Sequence, residues 1–341
     1  MPNRAKVHHY VPQHLIGNFS ANERGQVNVF DLSSERTFLT NPRNICAENG
    51  FNEFQFEEWV VSFESAVTRF EALYQPVIAK ALDQKSLLNF TEDELLILRF
   101  FVAFQFLRTK FLRTQLQQLN QKMLEHVEAM GVPRDQVQGI EEIDEEKAKR
   151  FYLTKIFEDT KRFAMMLQPR EVFLMEAPSD HPMLLGDHPV VLHNDRDFGA
   201  YGNIGWALPG IQIYTPISPQ LCVTFWCRSI LDDAIQRKEQ LQRLVFQSVT
   251  RGNQSLGDVL RQIDYTEEKY RSVFETCEKL RAGIREASVL DADEDQVNLI
   301  NSLQVSYANR YLISNQNGFD LPKRMIADNP AYKDPPAPTL E

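Results

Sequence analysis

The sequence predicts an α+β fold, mostly helical, with several long helices packed around a small antiparallel or mixed sheet. Two observations carry this expectation. Apolar residues recur at three- and four-residue steps over long segments before residue 168 and after residue 230, the period of amphipathic helices. Between them, residues 170–226 contain five short apolar runs separated by Pro, Gly, Asp and Asn, the pattern of strands and turns. The 341-residue chain is 43% hydrophobic and carries 23 Phe, 10 Tyr and 3 Trp, enough to build a large core without disulfides or a structural metal. The expected organisation is one large domain over residues 1–330. It comprises an N-terminal His segment and hairpin (7–52), a helical region (53–168), a strand-rich region (170–226) and C-terminal helices (230–315), with a flexible tail at 331–341.

Taken in order, Val27–Phe30 and Thr37–Leu39 read as a hairpin around the turn residues Asp31, Ser33 and Ser34. Trp59, Phe63, Val67, Phe70, Leu73 and Val77 then predict one amphipathic helix over 54–82, with Pro76 positioned to kink it. Thr91-Glu92-Asp93-Glu94 is a capping box: the Thr side chain can accept the Glu94 amide and the Glu can reach back. The helix it opens is expected to run past Leu119 towards Met130, where Gly131-Val132-Pro133 stops it. The acidic stretch Glu141–Glu146 suits the solvated start of a helix over 145–167. Strands follow at 172–175, 183–185, 190–192, 212–214 and 221–225. Helical spacing returns over 230–252, 257–282 and 294–313. Lys333–Glu341, with three prolines in nine residues, reads as a loose tail, and no internal repeat is evident.

A net charge of −10 and a pI near 5.3 weigh against a generic polyanion binder. The beginning of the chain leads into histidines rather than an apolar run, and no stretch approaches the roughly 18 uninterrupted apolar residues of a membrane span. The four cysteines, Cys46, Cys222, Cys227 and Cys277, form no C-x-x-C and read as reduced, mostly buried thiols. These features fit a cytoplasmic protein without membrane contact and leave a homo-oligomer open. Walker, dinucleotide-binding, serine-hydrolase, zincin and EF-hand patterns are absent.

Four groups of residues could carry chemistry. The first is His8-His9-Tyr10-Val11-Pro12-Gln13-His14, where three of seven histidines fall within seven residues; imidazoles can ligate a metal or move protons near neutral pH. Its apolar residues Tyr10, Val11, Leu15, Ile16 and Phe19 predict that the segment packs inward against the helix around Arg99–Arg113. The second is that helix, apolar almost all round yet carrying Gln105, Arg108, Thr109 and Arg113 on one stripe at about 100° per residue. Buried guanidiniums must be paired, either with an anionic ligand or with Glu64, Glu71 or Asp187 across the fold. The third is Asp187, between Leu185-Gly186 and His188-Pro189, where a strand-end loop can present a functional carboxylate or close an Asx-type turn. The fourth is Glu64 with Glu71, two turns apart on one helix face, suited to acid–base work or simple surface pairing.

His9-Tyr10-Val11-Pro12-Gln13, followed by Leu15, Ile16 and Phe19, resembles the opening signature of domain of unknown function (DUF) family 4238. Later segments resemble the family in the same order. They are Cys46-Ala47-Glu48-Asn49, the helix Arg99–Arg113, Gly186-Asp187-His188-Pro189 (with Gly186 where the family has serine), Pro216-Ile217-Ser218-Pro219 and Asn301–Tyr311. The resemblance spans residues 7 to about 315 and implies no particular activity.

From the residues, the leading expectation is a metal-dependent phosphodiesterase or nuclease-like enzyme acting on nucleic acid. His8 or His9 would serve as base, His9 and Asp187 would hold Mg²⁺, Mn²⁺ or Zn²⁺, and Gln105, Arg108, Thr109 and Arg113 would grip substrate. The alternatives are a non-enzymatic sensor holding an anionic small molecule, or a protein-interaction partner in which the same residues form a structural network.

Overall fold

The protein is described by a computed structural model covering residues 7–133, 143–199, 202, 204–252, 255–263, 265–286 and 289–334. The chain opens with β1 (Val7–His9), a short helix α1 (Gln13–Gly17), a hairpin of β2 (Val27–Asp31) and β3 (Arg36–Thr40), and β4 (Ala47–Asn49). A second hairpin, β5 (Glu53–Phe56) and β6 (Trp59–Ser62), leads into four helices: α2 (Glu64–Gln84), α3 (Glu92–Leu107), α4 (Lys110–Ala129) and α5 (Glu145–Leu167). Strands β7 (Arg170–Glu176), β8 (Leu185–Gly186), β9 (Val191–His193), β10 (Gln212–Pro216) and β11 (Leu221–Cys227) follow. The chain ends in helices α6 (Arg228–Gly252), α7 (Leu256–Gln262) and α8 (Glu267–Glu286), strand β12 (Leu290–Asp291), helix α9 (Glu294–Tyr307), strand β13 (Tyr311–Ser314) and helix α10 (Asp320–Asp328). This is an α+β protein.

Two sheets organise the core. One has strand order β12-β7-β11-β10-β9, antiparallel except for the parallel pair β12–β7. Its strand β11 is buried on both faces over Leu221–Trp226, in keeping with a run that is apolar but for Thr224. The other, β3-β2-β13-β8, is antiparallel and ties the two ends of the chain together, with Leu312 opposite Phe30 and Ile313 opposite Val29. The main hydrophobic cluster joins Tyr10, Val11, Leu15, Ile16 and Phe19 to α2, α3 and the five-stranded sheet. The N-terminal segment therefore packs inward, as its composition predicts. Each α3-facing aromatic of α2 finds a ring partner: Phe70 meets Phe104 at 4.7 Å and Tyr74 meets Phe101 at 4.8 Å. No helix of the described residues is long and apolar enough to cross a membrane.

The cap signals hold. Thr91 accepts the Glu94 amide at 3.2 Å while Glu94 accepts the Thr91 amide at 2.7 Å. Asp144 accepts the Lys147 amide and starts α5.

Five expectations about the helices need correction. Residues 53–62 form a hairpin rather than the start of α2. Glu57 takes the left-handed conformation (φ 54°) that a tight turn demands, and Trp59 is 74% exposed rather than on a buried face. Along α2 the buried phase is Val67, Tyr74, Val77, Ile78 and Ala81, so Leu73 faces water and Tyr74 faces the core. The helix expected over 92–130 breaks at Arg108–Thr109, because Thr109 is extended (φ −89°, ψ 159°) and opens α4 afresh. Likewise Thr266, whose hydroxyl accepts the Lys269 amide, divides α7 from α8, and Tyr311–Ser314 leaves the helical pattern to pair with β2. At the C-terminal end, residues 330–333 form a 3-10 turn whose Lys333 pairs with Glu35, while the rest of the expected tail (335–341) lies outside the described residues. Residues 1–6 and 134–142, including part of the acidic stretch, also lie outside them.

Candidate functional site

The site grows from the way the N-terminal segment crosses α2. Strand β1 pairs antiparallel with β4, His8 opposite Glu48 and His9 opposite Ala47, and strand alternation sends the two imidazoles to opposite sides. His8 turns fully inward. Its Nδ1 accepts the Asn52 amide at 3.1 Å, and Glu53 and Glu64 carboxylate oxygens each stand 3.9 Å from the ring. Asn52 in turn donates to Glu64 at 2.7 Å. His8 is thus a wedge between the segment and α2.

His9 faces the other way, half-buried. After Tyr10 and Val11 enter the core, Pro12 sets the extended entry to α1, and that helix places His14 against Tyr74 with ring centroids 5.6 Å apart. Between the two histidines lies Arg108, the residue that closes α3. Its guanidinium donates to Glu71 Oε1 and to the His9 carbonyl oxygen, each at 2.5 Å, and stacks over Phe104. Its stripe neighbour Gln105 donates to the Tyr10 carbonyl at 2.9 Å. The two side chains therefore clamp the backbone of His9 and Tyr10 onto α3. The Glu71 partner is one of the three carboxylates the sequence offered.

Polar atoms at this spot remain without well-aligned hydrogen-bond partners among the described residues: His9 Nε2, His14 Nε2, Arg108 Nε and the Tyr74 hydroxyl, which lies against the Arg108 guanidinium. Buried polar atoms normally find partners, so four such atoms around one ion pair describe a place prepared for something polar. Burial lowers the pKa of both His9 and His14. The Arg108 charge acts in the same direction on each and Glu71 opposes it; at His9 the Arg43 backbone and Glu64 also oppose the shift. Burial thus favours the neutral, proton-accepting form of both rings. Glu71 is 26% exposed, so the cluster opens to solvent along its α2 side. Gln13 Nε2 approaches His9 Nδ1 at 3.4 Å on the exposed side of the ring, and Nε2 is the buried nitrogen.

Other expected site residues lie elsewhere. Once the helix breaks, the stripe fans out. Thr109 meets His188 Nδ1 at 2.5 Å, while Arg113 donates to the Phe51 carbonyl at 2.7 Å and covers the Phe51 ring at 3.6 Å. Burial lowers the Arg113 pKa to about 10. Asp187 is fully buried, and its two carboxylate oxygens accept the amides of Asn309 (2.7 Å) and Arg310 (3.0 Å), neither of which is local. It closes no Asx turn. Its neighbour Gly186 is needed for close approach rather than for a sharp turn: a Cβ there would stand 2.9 Å from Gln304 Oε1 on α9. Both oxygens of Asp187 are thus engaged by backbone amides, and no group of three His, Cys, Asp or Glu among the described residues could hold a metal ion.

Sequence reasoning missed Tyr74 and underused His14. The signal for Tyr74 was present, since the series Val67, Phe70, Tyr74, Ile78 keeps the same period as the one chosen and places a hydroxyl beside Glu71.

No curated protein matches the chain, and no solved structure matches it. The family model described as protein of unknown function (DUF4238) does match, over residues 7–318, and the chain belongs to that family.

Proposed function

We propose that the cluster of His9, His14, Tyr74, Glu71 and Arg108 is the reactive centre of an enzyme that cleaves phosphodiesters in nucleic acid by general acid–base chemistry. The observation that carries the reading is the pair of imidazoles with lowered pKa and unpartnered Nε2 atoms, flanking one Arg–Glu pair whose guanidinium is buried and whose carboxylate is half-buried. One ring, neutral, would take the proton of the attacking hydroxyl as its oxygen bonds to phosphorus; the other, in the fraction of molecules in which it is an imidazolium, would give its proton to the leaving oxygen as that bond breaks. Arg108 Nε–H and the Tyr74 hydroxyl, the donors left over, would meet charge building on a non-bridging oxygen. Glu71 and the His9 carbonyl already hold the other arms of the guanidinium, which fixes its orientation. That engagement disfavours the sensor reading, which asks Arg108 to be a free anion clamp.

The test incubates purified protein with DNA and RNA, with Mg²⁺, Mn²⁺ or Zn²⁺ and with chelator. Cleavage that survives chelator, shows a bell-shaped pH profile, and falls about 10²–10⁴-fold in His9→Ala and His14→Ala is the expected result. Cleavage abolished by chelator would restore a metal to the mechanism. Absence of cleavage in every condition would reject the enzyme.

A further inference from the structure

We infer that a second site, a cleft of about 400 Å³ where α5 packs against the α3–α4 junction, binds a nucleotide: a planar base carrying a phosphate. The inference stands apart from the acid–base reading, since it uses none of the same side chains. The volume lies at the lower end of the range for small-molecule sites. Along α5, residues 151, 155, 159 and 162 fall on one helical face, and they line the cleft as Phe151, Lys155, Asp159 and Arg162. Opposite them, Phe106 and Leu112 supply an apolar wall, with Phe163 beside it.

Three observations name the ligand chemistry. The first is aromatic surface left for stacking. Phe151 is a half-exposed ring, and Phe163 stacks on Phe106 while Trp206 packs edge-on against Phe106 at 4.9 Å and Phe163 at 5.0 Å. The second is charge. Lys155 and Arg162 lie over the Phe151 and Phe163 rings, and neither has a carboxylate in salt-bridge range among the described residues. They stand about 10 Å apart along the helix, so a phosphate can be met at either end of a stacked base. The third is Asp159, half-buried between them and close enough to Tyr152 to act on its phenol. A carboxylate between two cations would repel a bare anion but accepts the N–H edge of a base. Trp206 adds a buried indole N–H without a partner beside the same wall.

Trp206 also provides the readout. In full-length protein carrying Trp59→Phe and Trp226→Phe it is the sole tryptophan, and its fluorescence is followed on titration with AMP, GMP, CMP and UMP. Calorimetry on the unsubstituted chain repeats the measurement independently of those substitutions. The expected result is saturable binding of at least one nucleotide below millimolar concentration. It should weaken more than tenfold in Lys155→Ala/Arg162→Ala and be at least tenfold weaker for inorganic phosphate or the free nucleoside. His9→Gln should bind unchanged, so loss of cleavage and loss of this site are read separately. No binding of any nucleotide up to millimolar concentration, phosphate binding as tightly as nucleotide, or equal loss in His9→Gln would each overturn the inference.

Discussion

Two histidine-bearing regions of this protein look alike in sequence and differ in what their polar atoms do. In the segment Gly186–Pro189, Asp187 spends both oxygens on the Asn309 and Arg310 amides. His188 spends Nδ1 on Thr109 and stacks its ring on Phe111 (4.4 Å) and parallel to Tyr307 (5.9 Å). At the N-terminal cluster, the carbonyls of His9 and Tyr10 are gripped by Arg108 and Gln105 while the imidazole Nε2 atoms are left over. Both regions have shifted pKa values, and among the imidazoles the largest shift is that of His188. A perturbed pKa therefore reports burial, and His188 too leaves its Nε2 without a partner among the described residues; what sets the N-terminal cluster apart is that its leftover atoms surround an Arg–Glu pair whose carboxylate reaches solvent. The difference is open to measurement.

The largest expected effect is the pH dependence of stability at Asp187–His188. Burial lowers His188 to about 3 from 6.5, so the unfolded chain binds a proton the native state refuses. Stability from this group is present above about pH 6.5 and is lost as pH falls towards 3, by up to about 5 kcal/mol. Asp187 works in the opposite sense: burial raises it to about 6 from 3.8, so its contribution is full below 3.8 and is lost as pH rises through 6. Urea unfolding between pH 3.5 and 7 should show His188→Phe flattening the acid-side decline and Asp187→Asn steepening it. Coincident slopes in the three proteins would remove the argument.

Next in size is Asp187→Ala at neutral pH, which strands two buried amides and should cost roughly 2–5 kcal/mol in chemical denaturation. Its loss of activity should match its loss of folded protein, because Asp187 touches neither imidazole of the cluster. A fully folded but inactive Asp187→Ala would place it in the chemistry after all.

What was legible in the sequence follows the same division. The capping box at Thr91, the strands of residues 170–226 and the inward packing of residues 10–19 could be read because local pattern and tertiary environment agree there. The break at Arg108–Thr109 could not, because it is imposed from outside. Thr109 is drawn to His188, 79 residues away, while Arg108 is drawn to Glu71 and the His9 carbonyl. The hairpin at 53–62 was hidden because Trp59 and Phe63 happen to keep helical spacing with α2, although Glu57-Glu58 makes a turn between them. For the site, His9, Arg108 and Glu71 were legible as residue types. Their convergence was not, since the contacts span 37 to 99 residues of sequence.

Arg108→Lys should have an intermediate effect. An ammonium keeps the charge but cannot reach Glu71 and the His9 carbonyl in fixed directions, so about 1–3 kcal/mol of stability should be lost. Removing the charge entirely, as in Arg108→Ala, should cost more, about 3–5 kcal/mol, because Glu71 and the backbone acceptor lose their partner. Calorimetric melting of both variants gives the ranking. If Lys restores wild-type stability, two-pronged geometry is irrelevant and the clamp is a simple point charge.

The smallest effect is the most discriminating. Tyr74 is 1% exposed, and its hydroxyl lies against Arg108 without a well-aligned bond, while burial drives its pKa well above the ordinary value. A hydroxyl that held the fold together would cost about 1 kcal/mol when removed. One kept for a bound substrate costs nothing to lose, and its removal relieves a buried unsatisfied group. Tyr74→Phe should therefore change stability by less than about 0.5 kcal/mol or raise it slightly, the usual signature of a group retained for function. The ring contacts with His14, Phe70 and Phe101 stay in place in the variant. Under the acid–base reading it should still lose phosphodiester cleavage, by about tenfold or more, through the missing donor. A Tyr74→Phe protein that is clearly destabilised would show that the hydroxyl belongs to the fold, and the cluster would then resemble the Asp187 region rather than differ from it.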